Sequence, residues 1–341
     1  MRRYPAPTSL ICLLTALALA GCGSSTPTSS TPTSSSSSAS SSAPAPAPAV
    51  AELPQAEHPR STEFPRAAGT LQQIAATARP GAALGAATGT FTPGGGRFAF
   101  ALNAPSGAFI YAPTALYLAR GPHAAARGPY LAPADPLGVP PAFRSRQNSG
   151  PGGIEAIYEA QVPLPAAGTY TVLSLTLTPH GFIGAQGEIA VVRSSPIPDV
   201  GQRPPAIATD TAASVGGNRS LLTTRVPAED MHSASFARLL GRQPVALLFS
   251  TPQLCMSRVC GPVTDIAVLL QRRFGRRITF IHQEVYANNQ PSQGLRPQLK
   301  AFHLRTEPWL FTIDRHGRIA ARLEGSFGVN AYTAALQAAL R

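Results

Sequence analysis

The chain is 341 residues long, with formal net charge +12, four cysteines, 35 prolines and 30 glycines. That length leaves room for two modest cores. A single stretch approaching the length of a membrane span excludes a polytopic membrane protein, and four cysteines are too few for a disulfide-stapled mini-protein. Lys300 is the only lysine; the arginines are scattered without interleaved aromatics, which argues against nucleic acid as a partner.

The first segment reads as an export address. Arg2 and Arg3 precede an apolar run over residues 10–20 that is short for a span and ends in Leu19-Ala20-Gly21-Cys22. This ending resembles the bacterial lipobox. Residues 1–21 are therefore expected to be a lipoprotein signal peptide and Cys22 the lipidation site, holding the protein on the extracytoplasmic face of the cell membrane. Loss of Arg2 and Arg3 with the signal leaves a net charge of +10. Residues 22–80 are expected to carry the anchor and a disordered tether. Five consecutive serines at 34–38 and the Ala-Pro repeat at 43–48 show no periodic apolar face to offset the entropy of ordering. Cys12 leaves with the signal, so Cys255 and Cys260 remain as the cysteine pair in a disulfide-permissive compartment.

Residues 81–195 carry short alternating strands separated by Gly/Pro turns, at 97–102, 114–118, 156–162, 169–175 and 188–192. With no helix-length period between them, the expected architecture is an antiparallel, Ig-like β-sandwich. The stretch 162–170 resembles the corner of exported Ig-like modules, in which a Pro-Gly turn delivers an aromatic, here Tyr170, to the core. His123 and His180 fall in loops and find no cysteine or paired carboxylate to make a metal site. This region reads as a binding or spacer module. Residues 196–230, rich in Pro, Gly, Thr and Ala, read as a linker that packs in part on either side.

From residue 231 strands alternate with helices. A helix is expected over 231–240, a fully covered strand at 245–249, a helix over 263–274 and a strand at 278–286. A short helix near 298–304, strands at 307–313 and 318–323 with a turn at 314–317, and a helix over 331–340 follow. Residues 231–341 carry 14 basic and 5 acidic side chains, read as dispersed surface arginine.

The apolar strand leading to a cysteine loop and a helix, Pro308 before the next-to-last strand, the turn Asp314-Arg315-His316-Gly317 and Gly325 after the final strand together resemble the thioredoxin superfamily. The phrase from Cys255 to Val263 resembles that of thioredoxin-like lipoproteins of high-GC Gram-positive bacteria. The resemblance covers residues 231–341 and implies a C-terminal α/β thioredoxin-like domain, with a cis Pro308 facing the active cysteines. It implies thiol–disulfide exchange on exported protein thiols or disulfides without a cofactor: Cys255 attacks, Cys260 resolves, and Pro308 shapes the cleft. The spacing departs from the family, being Cys-x-x-x-x-Cys rather than Cys-x-x-Cys. Distance from the strand aligns Cys255 with the family's nucleophile; the local phrase Cys260-Gly261-Pro262-Val263 aligns Cys260 with it instead. Residues five apart in a helix point about 140° away from each other. A Cys255–Cys260 disulfide therefore requires 255–259 to be a loop and the helix to start near Gly261 and Pro262. Helix-terminal amides, with Arg258 nearby, are expected to favour the thiolate.

Other readings stay open. The alternative is a structural disulfide in a non-catalytic envelope scaffold. Exported copper chaperones of the same fold use two cysteines and a distant histidine, for which His282, His303 and His316 are candidates. Peroxidase chemistry also uses a cysteine after this strand, but the threonine spacing from Thr251 fits poorly. Trp309 is expected in the core or a pocket wall.

Overall fold

The computed structural model describes residues 53–148 and 153–341. The signal segment, Cys12, Cys22 and the serine and Ala-Pro tether lie outside the described residues. No helix among the described residues is long and apolar enough to cross a membrane.

Structure begins earlier than the composition suggested: residues 53–80, expected to be tether, contribute folded elements. Helices α1 (Leu53–Ala56) and α2 (Leu71–Ala75) precede strand β1 (Arg79–Pro80). In α2, Thr70 Oγ1 accepts from Gln73 N at 3.2 Å while Gln73 Oε1 accepts from Thr70 N at 2.8 Å. This reciprocal box satisfies two donors that a short helix otherwise leaves orphaned. It turns Leu71 and Ile74 into a small core with Phe64, Tyr117 and Leu173.

The strands that follow are β2 (Ala83–Ala86), β3 (Gly94–Asn103), β4 (Thr114–Ala119), β5 (Arg127–Leu131), β6 (Ala134–Pro136), β7 (Ala156–Leu164), β8 (Gly168–Thr178) and β9 (Gly181–Val191). They form two sheets, ordered β1-β9-β8-β4-β5 and β2-β3-β7-β6. All pairs are antiparallel except β1 with β9. Alternate residues of both sheets meet in one core: Phe98 and Phe100 of β3 and Tyr158 of β7 from one, Leu116 of β4, Val172 of β8 and Ile189 of β9 from the other. Period-two alternation is what lets each strand give one face to this layer. Tyr170 is buried at its corner; its hydroxyl accepts from Ala166 N at 3.2 Å and donates to Ala166 O at 3.0 Å.

The C-terminal elements are α3 (Phe236–Leu239), β10 (Val245–Phe249), α4 (Cys260–Phe274), β11 (Thr279–Gln283), α5 (Pro297–Ala301), β12 (Trp309–Ile313), β13 (Ile319–Glu324) and α6 (Val329–Ala339). Their order is the one expected above, but α3 is a single turn rather than a helix over 231–240. Met231 is held differently, its carbonyl accepting from His282 N at 3.0 Å. The sheet runs β11-β10-β12-β13, with β10 parallel to β11 and antiparallel to β12. Central β10 is buried throughout because layers cover both faces. Ala246 and Leu248 pack on α4 and α6 through Val263, Ile266 and Leu336. Val245, Leu247 and Phe249 pack on Phe236, Leu299 and Phe302.

The region 196–230, expected to be a linker, supplies buried anchors instead. Arg225 Nε donates to Asp265 Oδ1 at 2.9 Å, and its Nη2 donates to Phe143 O at 2.7 Å. Asp265 Oδ2 also accepts from Ser145 N at 2.9 Å. Helix α4 is thus bolted to segments from the sandwich side and from the connection at once. From Leu53 onward the described residues belong to one compact unit.

Candidate active site

Strand β10 delivers the chain into residues 250–259, which return to the head of α4. Two bonds shape this loop: Leu254 N donates to Thr251 O at 3.2 Å, and Arg258 N to Cys255 O at 3.3 Å. Arg258 adopts φ +59, turning the chain just before the helix. A second tie, from Gln253 N to Thr224 Oγ1 at 3.1 Å, holds the loop against the connection. Cys260 is the first residue of α4, three residues ahead of the helix expected over 263–274 and next to the start near Gly261 and Pro262 that a disulfide would require. Pro262 sits in the first turn, where its missing N–H costs no bond. Gly261 is required there: a Cβ would lie 2.5 Å from Gln147 O.

The loop brings Cys255 and Cys260 together as unjoined thiols with unequal surroundings. Cys255 is 8% exposed and Cys260 is fully buried. The two cysteines share one small buried cluster with Val259; the neighbouring Cys260 thiol first, then the Ser257 hydroxyl at 3.2 Å and the amides of Cys260 and Ser257, lower the Cys255 thiol to about 6 despite burial. Arg258 is not among the groups that hold this thiolate; its part is the turn. Burial pushes the Cys260 thiol far up, and the neighbouring Cys255 adds to this. A ready thiolate therefore stands in front of a protonated, withheld thiol.

Pro308 is buried and follows a cis peptide bond from Glu307. Its carbonyl accepts from Gly325 N at 2.9 Å. Glu307 was not singled out in the sequence as a site residue. Burial first, then the charge of Cys255, raise its carboxyl to about 7. Tyr286 is raised as well, by burial and then by Glu307 and both cysteines, so these four groups share one electrostatic neighbourhood. An acid placed directly before the proline was the signal that could have found Glu307. A cleft of about 750 Å³ opens beside the loop. Ser257, Arg258 and Glu307 line one wall; Ala86, Phe109 and Ile154 line the other. Met256 stands out beside Cys255 at 95% exposure.

No cysteine joins a histidine in a metal-sized cluster among the described residues. His303 and His316 are exposed. His282 is fully buried, and the group it forms with Glu229 and His232 contains no cysteine. Trp309 is buried on β12, stacked on Phe311 with ring centroids 5.8 Å apart.

No protein-family model matches the chain, and no curated protein matches it. Among solved structures the chain is similar, at 15% identity and a TM-score of 0.31, to one described as "Crystal structure of a putative Thiol:disulfide interchange protein DsbE from Chlorobium tepidum". The match covers 42% of this chain and 99% of that one.

Proposed function

We propose that this protein is a thiol–disulfide exchange protein with a thioredoxin-like C-terminal domain on an Ig-like sandwich, tethered outside the cytoplasm by lipid on Cys22. The observation that carries the chemistry is the inequality of the two thiols: Cys255 lowered to about 6 and Cys260 raised, in mutual contact. In the dithiol form, the Cys255 thiolate attacks one sulfur of a partner disulfide. A Cys255–partner bond forms, the partner's S–S bond breaks, and the leaving thiolate takes up a proton. Cys260 then gives up its proton and attacks Cys255 Sγ, closing the Cys255–Cys260 disulfide and releasing the second partner thiol. Two electrons pass to the partner; the reverse sequence oxidises a partner dithiol. Glu307, with its carboxyl near 7, is suited to take the proton from Cys260. The cleft lined by Ser257, Arg258 and Glu307 together with residues of the sandwich is where an extended partner segment would lie.

The test is mixed-disulfide trapping. Cys260→Ser is expected to accumulate covalent complexes with exported proteins through Cys255, resolved by dithiothreitol, and Cys255→Ser to accumulate few. Trapping through neither thiol, with a reduction potential far below about −300 mV, would leave a structural staple in an envelope scaffold.

A further inference from the structure

Glu229 and His232, three residues apart, converge with His282 of β11, which lies about fifty residues further along the chain. Glu229 Oε1 accepts from His232 Nε2 at 2.8 Å and from His282 Nδ1 at 2.7 Å. All three side chains are at least nine-tenths buried. Their candidate ligand atoms lie within 4.8 Å of one another. We propose that these three residues bind one divalent transition-metal ion of the zinc type, a site separate from the cysteine pair.

Donor chemistry selects the ion. Two imidazole nitrogens and one carboxylate oxygen suit Zn(II), whereas Mg(II) and Ca(II) prefer all-oxygen shells and Cu(I) prefers sulfur. Around a tetrahedral zinc with bonds of about 2.0–2.1 Å, neighbouring donors stand about 3.3 Å apart. The carboxylate contacts of 2.7 and 2.8 Å therefore need to open by only about half an ångström. Three protein donors leave a fourth position for water.

The outer shell is already in place. His282 Nε2 lies 3.1 Å from Ser250 O and 3.0 Å from Ser250 Oγ, which fixes the ring with Nδ1 towards Glu229. The other carboxylate oxygen, Oε2, accepts from Thr223 Oγ1 at 2.8 Å. Partners of this kind orient ligating histidines and carboxylates in metal sites. His232 presents Nε2 to Glu229, while its Nδ1 is buried with no hydrogen-bond partner. With a metal on Nε2, the ring proton moves to Nδ1, and the proton that His282 Nδ1 gives Glu229 is exchanged for the ion. His232 also lines a surface groove of about 720 Å³, which offers a way in.

The test uses the full chain with Cys255→Ser and Cys260→Ser, which removes the competing thiolates. Titration with ZnCl₂ by calorimetry is expected to give one ion per chain, and CoCl₂ the visible bands of a low-coordinate N/O site. Thr223→Val is expected to weaken binding about 10- to 100-fold, the usual cost of an outer-shell partner. His232→Gln, checked for unchanged circular dichroism, is expected to weaken it further. Absence of stoichiometric zinc, zinc bound equally by His232→Gln, or full affinity in Thr223→Val would overturn the proposal. Should His232→Gln alter the fold, the Thr223→Val result decides.

Discussion

Replacing Cys260 by alanine removes the S–H that does most to hold Cys255 as a thiolate. The Cys255 thiol stands at about 6 against an ordinary 9.0, a difference worth about 4 kcal/mol. A hydrogen bond to a charged group contributes about 1.5–3 kcal/mol, so its loss is expected to move the Cys255 inflection up by about one to two pH units. Cys260→Ser keeps an O–H donor and is expected to fall in between. The assay is the rate of Cys255 carboxamidomethylation by iodoacetamide against pH, followed by mass spectrometry on reduced protein. The inflection is the readout rather than the rate at one pH, because a less acidic thiolate is also a stronger nucleophile and partly compensates. An inflection unchanged in Cys260→Ala would refute the reasoning, since Ser257 and the backbone amides would then suffice alone.

Glu307→Gln is expected to alter the pH dependence of stability in a defined direction. Its folded pKa of about 7 lies above its ordinary 4.5, so ionising it opposes folding as pH rises through that interval. The variant should therefore gain stability relative to the parent between about pH 4.5 and 7, read as urea midpoints of the reduced protein; a constant difference across this range would count against the placement of the carboxyl. Arg225→Met strands the Asp265 carboxylate, which is fully buried, and is expected to cost about 3–5 kcal/mol in urea unfolding. A loss below about 1 kcal/mol would mean that water reaches Asp265.

The strand and helix order after residue 231 was legible because its signals are local. The run from Val245 to Phe249 is apolar at every position, as a strand covered on both faces must be, and the cysteines follow it directly. Pro308 and Gly325 mark backbone positions that few residues tolerate. The thiol pair was legible for the same reason, being carried within six residues. The anchors were not, because they join distant segments. Glu229 and His232 lie in or beside the stretch read as a linker, about fifty residues from His282. Asp265 was a visible anomaly, an acid on the apolar side of α4, but nothing near it in sequence names Arg225 as its partner. The capping box from Thr70 to Gln73 was readable in principle and was overshadowed by the composition of the tether.

The seam between the halves constrains what can be inherited separately. At Gly325, φ +69, a Cβ would fall 1.6 Å from Ala87 O, so two main chains touch where a side chain would stand. Asp135 of β6 accepts from Gly328 N at 3.1 Å and from Asn330 N and Ala331 N at 2.8 Å, supplying from another segment the cap that α6 lacks in its own. A gene fragment encoding only residues 231–341 would thus yield a fraying last helix and an unneutralised carboxylate in α4. Recombination can lend the thiol loop to a new carrier only together with the sandwich that grips it, because Gly261 and Gly325 meet its main chain and Asp135 caps α6.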